Sequence, residues 1–324
     1  MKWNIKLMTI MMIMSTVMVM SSSNWMSMWI GMEINMISFV PIMKMNNKES
    51  SSSTMIYFMA QSMGSSLFLY SLLSMWFQSP SNHSSSMMIM MMASMMIKLG
   101  LPPMHMWMII VMSKLPWTTC FMLMTWQKIA PLTVTSKLTA LTNEMYMTAL
   151  VTSIIGALGG INQTSIRKIM AYSSISHMGW MLTLTSNNKW IIYLTLYSLM
   201  TATLCLMMNY ENAYYLNQLH LTSKINKMAL TINMLSMGGM PPMIGFLPKW
   251  MAIQTMINNN MTLIASLMIM TSLMTLMFYL NMITPMMSMS SQTNKLLMNK
   301  QKNYSWMITM SMMTPLALTL NVLI

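Results

Sequence analysis

Residues 190–208 read WIIYLTLYSLMTATLCLMM, a stretch without one charged side chain. At 1.5 Å of rise per residue, a helix through it covers about the 30 Å of a bilayer's hydrocarbon core. The long polar–apolar alternation of a barrel strand is absent, so of the two structures that can span lipid the helix is the one that fits. Working outward, similar runs recur at about 5–22, 25–43, 54–77, 87–112, 117–137, 140–159, 166–184, 227–257, 261–283 and 304–322. The expectation is an all-α polytopic membrane protein with about eleven transmembrane helices. The connectors are too short for a soluble domain, so 1–324 reads as a single membrane domain.

Composition supports this. The 324 residues are 55% hydrophobic and 6% charged, whereas a soluble domain is about a quarter charged. The net charge of +13 would suggest nucleic acid in a soluble protein. Here the lysines sit between apolar segments, where they orient helices, so no nucleic-acid partner is expected. Methionine reaches 59 residues, with Arg167 as the lone arginine and no aspartate. No packing argument calls for so much of a flexible gap-filling side chain. An AT-rich genome that reads ATA as Met explains it, which points to a mitochondrial source. Lys2 and Lys6 before the first apolar run resemble a signal peptide, but no small-residue cleavage site follows, so that run reads as a retained span.

Cations in short loops set orientation. With eleven spans, one side collects Lys2, Lys6, Lys44, Lys48, Lys114, Arg167, Lys168, Lys224, Lys227, Lys295, Lys300 and Lys302; the other collects Lys137 and Lys189. The N-terminus then lies on the inner side, the matrix if the source is mitochondrial, and the C-terminus in the intermembrane space. Lys98, Lys128 and Lys249 fall inside or beside apolar spans.

Two interruptions repeat. The fourth span contains Gly100-Leu101-Pro102-Pro103 and the ninth contains Gly239-Met240-Pro241-Pro242. A proline inside a helix costs about 3 kcal/mol or more and is tolerated in a membrane where neighbouring protein or water satisfies the freed groups. The breaks lie five spans apart, an odd number, so the second unit would cross the membrane upside down relative to the first. This reads as two inverted five-helix units, about 5–137 and 140–284, with broken helices 4 and 9, and a last helix at 304–322. Broken helices at matching places of inverted repeats point to an ion path.

Glu33 lies mid-span in WIGMEIN, Lys98 just before the first break, Lys128 in WQKIAP and Lys249 after the second break in GFLPKW. A charge at the centre of a membrane helix costs about 2.5–3.5 kcal/mol on insertion scales. The bland alternatives are snorkelling of the lysines to the interface and a structural hydrogen bond for Glu33. Retention of four such groups favours function. Desolvation favours the neutral form of a lysine, and a nearby carboxylate restores the charged form. Two charges about 4 Å apart interact by about 4 kcal/mol at an effective dielectric of 20, enough for a moving carboxylate to switch a lysine between holding and releasing a proton. His105, past the first break, and His177, in the seventh span, are further candidates for proton relay. His83 and His220 read as solvated loop residues, and Glu144 as interfacial. Cys120 and Cys205 cannot hold an iron–sulfur cluster alone, and no phosphate-binding glycine loop is visible. No cofactor is expected in this chain.

Five stretches, WIGMEINMISFVP (29–41), KLGLPPMHMW (98–107), LMTWQKIAP (123–131), QTSIRKIMAYSSISHMGW (163–180) and SMGGMPPMIGFLPKW (236–250), resemble the mitochondrial NADH-ubiquinone oxidoreductase chain 2 family. These are antiporter-like proton-pumping subunits of respiratory complex I. The resemblance covers nearly the whole chain and implies the two inverted five-helix units. It implies that Glu33 pairs with Lys98, that Lys128 is the central proton carrier and that Lys249 serves a second channel. It also implies the mitochondrial inner membrane, partners among the other membrane-arm and accessory subunits, lipids such as cardiolipin, and NADH, FMN, iron–sulfur clusters and ubiquinone handled by other chains. Lys98 precedes its break whereas Lys249 follows its own, so the two are not equivalent. A self-standing cation/proton antiporter and a purely structural membrane subunit are the competing readings.

Overall fold

The computed structural model describes residues 2–44, 48–77, 84–138, 142–221, 224–241 and 243–288. The expected last helix at 304–322, His83 and Pro242 lie outside them. The described residues are helical throughout, with only an isolated antiparallel bridge between Ser165 and Tyr215. In chain order the helices are α1 (Lys2–Ser21), α2 (Trp25–Met43), α3 (Lys48–Phe77), α4 (Ser84–Leu99), α5 (Met106–Lys114), α6 (Trp117–Met124), α7 (Trp126–Lys137), α8 (Thr142–Gly160), α9 (Ile166–Thr183), α10 (Trp190–Glu211), α11 (Lys224–Gly238), α12 (Phe246–Asn258) and α13 (Thr262–Ser288). Among them α2, α10 and residues 262–284 of α13 are each long and apolar enough to cross a bilayer.

The helix limits follow local chemistry. Asn188, Asn212 and Asn260 take the left-handed conformation, at φ 55°, 50° and 60°, which asparagine tolerates better than most side chains. Asn212 thereby closes α10, and the next chain segment returns over the start of α9, where Ile166 N donates to Tyr214 O at 3.0 Å. Arg167 stacks on the Tyr214 ring, 4.5 Å from its centroid. Serine and threonine inside the helices bond backwards: Ser15 to Met12 O, Ser94 to Met91 O and Thr152 to Ala149 O, at 2.6–2.8 Å. Such bonds satisfy the hydroxyls without water.

The chain divides into two compact units, Met1–Thr152 and Ser153–Ile324, with the boundary inside α8. In the first, α1 packs on α2, α2 and α4 on α3, and α7 on α1, α2 and α4. Val19, Met28, Phe68, Leu72, Met95 and Val134 belong to its core. In the second, α9, α10 and α13 surround α12, and α11 lies against α10 and α13. Large apolar side chains remain outside, among them Leu199, Leu263 and Trp76, exposed by 63%, 71% and 71%. For helices this apolar, lipid is the solvent that makes such exposure favourable.

The fourth and ninth spans are divided as expected, into α4 with α5 and α11 with α12. The fifth differs from expectation. Instead of one helix over 117–137, α6 ends at Met124 and α7 begins at Trp126. Thr125 departs from helical geometry at φ −118°, ψ −71°. Its hydroxyl and its amide both donate to Phe121 O, at 2.8 and 3.1 Å. Six residues on, Pro131 lacks the N–H that would bond Gln127 O, so the first turns of α7 are weakened from within.

Candidate functional site

The two breaks share one backbone design. At the end of α4, Gly100 N donates to Ile97 O at 3.1 Å and Leu101 N to Met96 O at 2.9 Å. At the end of α11, Gly239 N donates to Ser236 O at 3.0 Å and Met240 N to Leu235 O at 3.3 Å. Both are Schellman closures. They need a left-handed residue, and Gly100 and Gly239 supply it at φ 70° and 80°. A helix end buried in protein leaves carbonyls to satisfy. Around the first break Trp107 Nε1 donates to Ile97 O at 3.1 Å and Gln61 Nε2 to Lys98 O at 3.0 Å. At the second, the Lys249 ammonium donates to Gly238 O at 2.7 Å. Pro102 is buried at the first break, while Pro103 and Pro241 are exposed.

In the first unit Lys98 lies in the last turn of α4 and is 6% exposed; Lys128, in the first turn of α7, is 2% exposed. That burial rules out snorkelling for both. They line one cavity with Tyr57, Gln61, Leu99, Trp107, Met108, Leu123 and Gln127. Its volume of about 10 Å³ is the room a single water needs. Glu33, half-buried on α2, acts electrostatically on both Lys98 and Tyr57. The Glu33–Lys98 pair is open in this structure. Lys98 Nζ is 3.9 Å from Met32 Sδ, and Glu33 Oε1 is buried with no hydrogen-bond partner among the described residues.

Beside Lys128, Gln127 joins α2 to α7. Asn35 Nδ2 donates to Gln127 Oε1 at 3.1 Å, and Gln127 Nε2 returns a bond to Asn35 Oδ1 at 3.2 Å. Tyr57 Oη also donates to Gln127 Oε1, at 3.3 Å. The Tyr57 ring is held edge-on between Phe39 and Trp107, with centroids 5.4 and 5.9 Å away.

In the second unit Lys249 is 6% exposed on α12, against the end of α11. His177 is 3% exposed on α9. Its Nδ1 shares a 2.8 Å hydrogen bond with Tyr193 Oη, and the Tyr197 ring lies 5.0 Å from its own. His105 stands apart from the cavity: it is half-exposed at the N-terminus of α5, with Nδ1 3.3 Å from Pro103 O.

Residues 22–275 match the family model described as NADH:quinone oxidoreductase/Mrp antiporter, transmembrane. A relative from Locusta migratoria named NADH-ubiquinone oxidoreductase chain 2 is 41% identical over 268 residues, which is 79% of this chain and 77% of the relative. The chain belongs to the NADH-ubiquinone oxidoreductase chain 2 family. In fold it is similar to a chain of respiratory complex I from Thermus thermophilus, with a TM-score of 0.82 at 17% identity, covering 97% of this chain and 77% of that one. It is also similar to a chain of the Mrp complex from Dietzia, with a TM-score of 0.78 at 15% identity, covering 86% and 59%.

As a member of this family the chain is an integral membrane protein. Several buried polar groups escaped the sequence reading. Tyr57, Gln61 and Asn35 sit in serine-rich or apolar helices where nothing marks them, although Gln127 stands next to Lys128 and could have been weighed with it. Lys227, counted with the loop cations, is 7% exposed in the first turn of α11. Glu144 is exposed in the first turn of α8.

Proposed function

We propose that this chain is a core membrane subunit of mitochondrial respiratory complex I, translocating protons across the inner membrane while partner subunits oxidise NADH and reduce ubiquinone. The carrying observation is that Lys98 and Lys128, two cations that lipid would reject, line a single cavity within reach of the Glu33 field. The cavity that both lysines line has room for about one water, which would carry a proton from Lys98 to Lys128. A shift of Glu33 towards Lys98 would hold that proton, and withdrawal would free it. Lys249 serves the second unit, with His177 as a relay on the neighbouring helix; His105, half-exposed, serves at most the outlet.

Each charge moved against 100 mV requires about 2.3 kcal/mol, supplied by the redox chemistry of other subunits. The chain itself carries no redox centre in this reading. Its partners are the neighbouring antiporter-like and accessory subunits of the membrane arm, with lipids such as cardiolipin filling the apolar periphery. The five-span separation of the two breaks supports two inverted five-helix units, about 5–137 and 140–284, followed by the helix at 304–322. The loop-cation asymmetry supports an N-terminus in the matrix and a C-terminus in the intermembrane space.

The test is Lys128→Met in the assembled complex. Protons moved per ubiquinone reduced should fall, with assembly and reductase activity retained. Wild-type stoichiometry in an intact complex would overturn the reading and favour a structural role.

A further inference from the structure

Among the polar residues that line the cavity with Lys98 and Lys128, Tyr57 has a hydroxyl whose direction is fixed by a chain of bonds leading away from it. Gln127 Nε2 lies 3.4 Å from Met12 Sδ. A thioether has no hydrogen to give, so it is the amide nitrogen that must face it. The oxygen of the same amide is thereby turned towards Asn35 Nδ2 and Tyr57 Oη. Tyr57 Oη has one hydrogen, and it is donated to that oxygen. What remains on the phenol is acceptor capacity alone.

Resting on the reading of Lys98 and Lys128 as proton carriers, we infer that Tyr57 is the positioning residue for proton transfer between them. The Tyr57 oxygen accepts a hydrogen bond from a single water in the cavity and so fixes how that water faces the two lysines. The transfer balances without the phenol's own proton. The Lys98 ammonium gives one proton to the water, the water gives another to the neutral Lys128 amine, and Tyr57 keeps its hydrogen on Gln127. Three observations agree with this role. Tyr57 is 2% exposed, its ring is clamped by Phe39 and Trp107, and the cavity has room for about one water. A free hydroxyl would rotate and could donate into the cavity as readily as accept; the Met12–Gln127 arrangement removes that choice.

The experiment compares Tyr57→Phe with Lys128→Met in the assembled, reconstituted complex, reading protons moved per ubiquinone reduced and the solvent deuterium isotope effect on turnover. Phenylalanine keeps the ring packing and deletes only the oxygen. Tyr57→Phe should lose at least half of what Lys128→Met loses and should raise the isotope effect, which a packing defect would not do. Gln127→Met, which frees the phenol hydrogen, should show the same two changes, and the double variant should be no worse than either single one. It also decides the matter if Tyr57→Phe assembles poorly. Wild-type values for Tyr57→Phe beside a deficient Lys128→Met would overturn this inference alone. Wild-type values for both would overturn the function proposed above, and this inference with it.

Discussion

The Lys249 ammonium caps the end of α11, donating to the carbonyl of Gly238 at 2.7 Å, whereas Lys98 contributes its own backbone carbonyl to the end of α4 and turns its ammonium towards Met32. The two breaks therefore have the same backbone closure and opposite uses of the lysine. At the first, Gln61 and Trp107 satisfy the helix end, and the lysine ammonium takes no part in capping it. At the second, the lysine itself is one of the satisfying groups. Its ammonium faces the negative end of a helix dipole, a place that stabilises a cation.

Gly239→Ala should unseat Lys249. The residue has a left-handed φ of 80°, and an added Cβ would lie 2.8 Å from Lys249 Nζ. The backbone alone costs about 1–2 kcal/mol for a residue with a Cβ, and the amine must also move. Hydrogen exchange at the Gly239 and Met240 amides should accelerate roughly tenfold. Unchanged protection would mean that the closure does not depend on glycine.

Asn35→Leu should loosen α2 from α7. It removes two of the hydrogen bonds of the half-buried Gln127 amide, and unmade bonds cost about 1–3 kcal/mol, while replacing both partners by apolar groups can be nearly neutral. Local opening energies from native-state hydrogen exchange should thus show the double variant costing less than the sum of Asn35→Leu and Gln127→Leu. Strict additivity would contradict the reciprocal bonding.

The breaks at Gly100 and Gly239 were legible because a glycine followed two residues later by proline states both the left-handed turn and the inability to continue. The break at Thr125 was not. It depends on a threonine that bonds backwards and a proline six residues downstream, and neither interrupts an apolar pattern on its own. Lys98, Lys128 and Lys249 announced themselves as cations in apolar sequence. Tyr57, Gln61 and Asn35 did not, because a lone polar residue in a membrane helix is ordinary until its partner is known. Those partners lie 92 positions away for Asn35 and 70 for Tyr57. Lys227 misled in the other direction, since it was counted among the loop cations and is instead buried in the first turn of α11.

Thr125→Val tests whether the unexpected break seats Lys128. Valine keeps the shape of threonine and deletes the hydroxyl that bonds Phe121 O at 2.8 Å. The backbone amide of residue 125 keeps its own bond to that carbonyl, so the helix end is weakened rather than abolished, by about 0.5–1.5 kcal/mol. With that competing bond gone, α6 and α7 have less reason to part. The Lys128 amide, which now donates to Thr125 O three residues back at 3.2 Å, can move towards the four-residue spacing of a continuous helix. A shift of that kind rotates the Lys128 side chain relative to the cavity it shares with Lys98. Protons moved per ubiquinone reduced should fall part of the way towards the Lys128→Met value while the complex assembles normally. A variant with full stoichiometry and unchanged exchange at residues 126–128 would show that Pro131 alone sets the break.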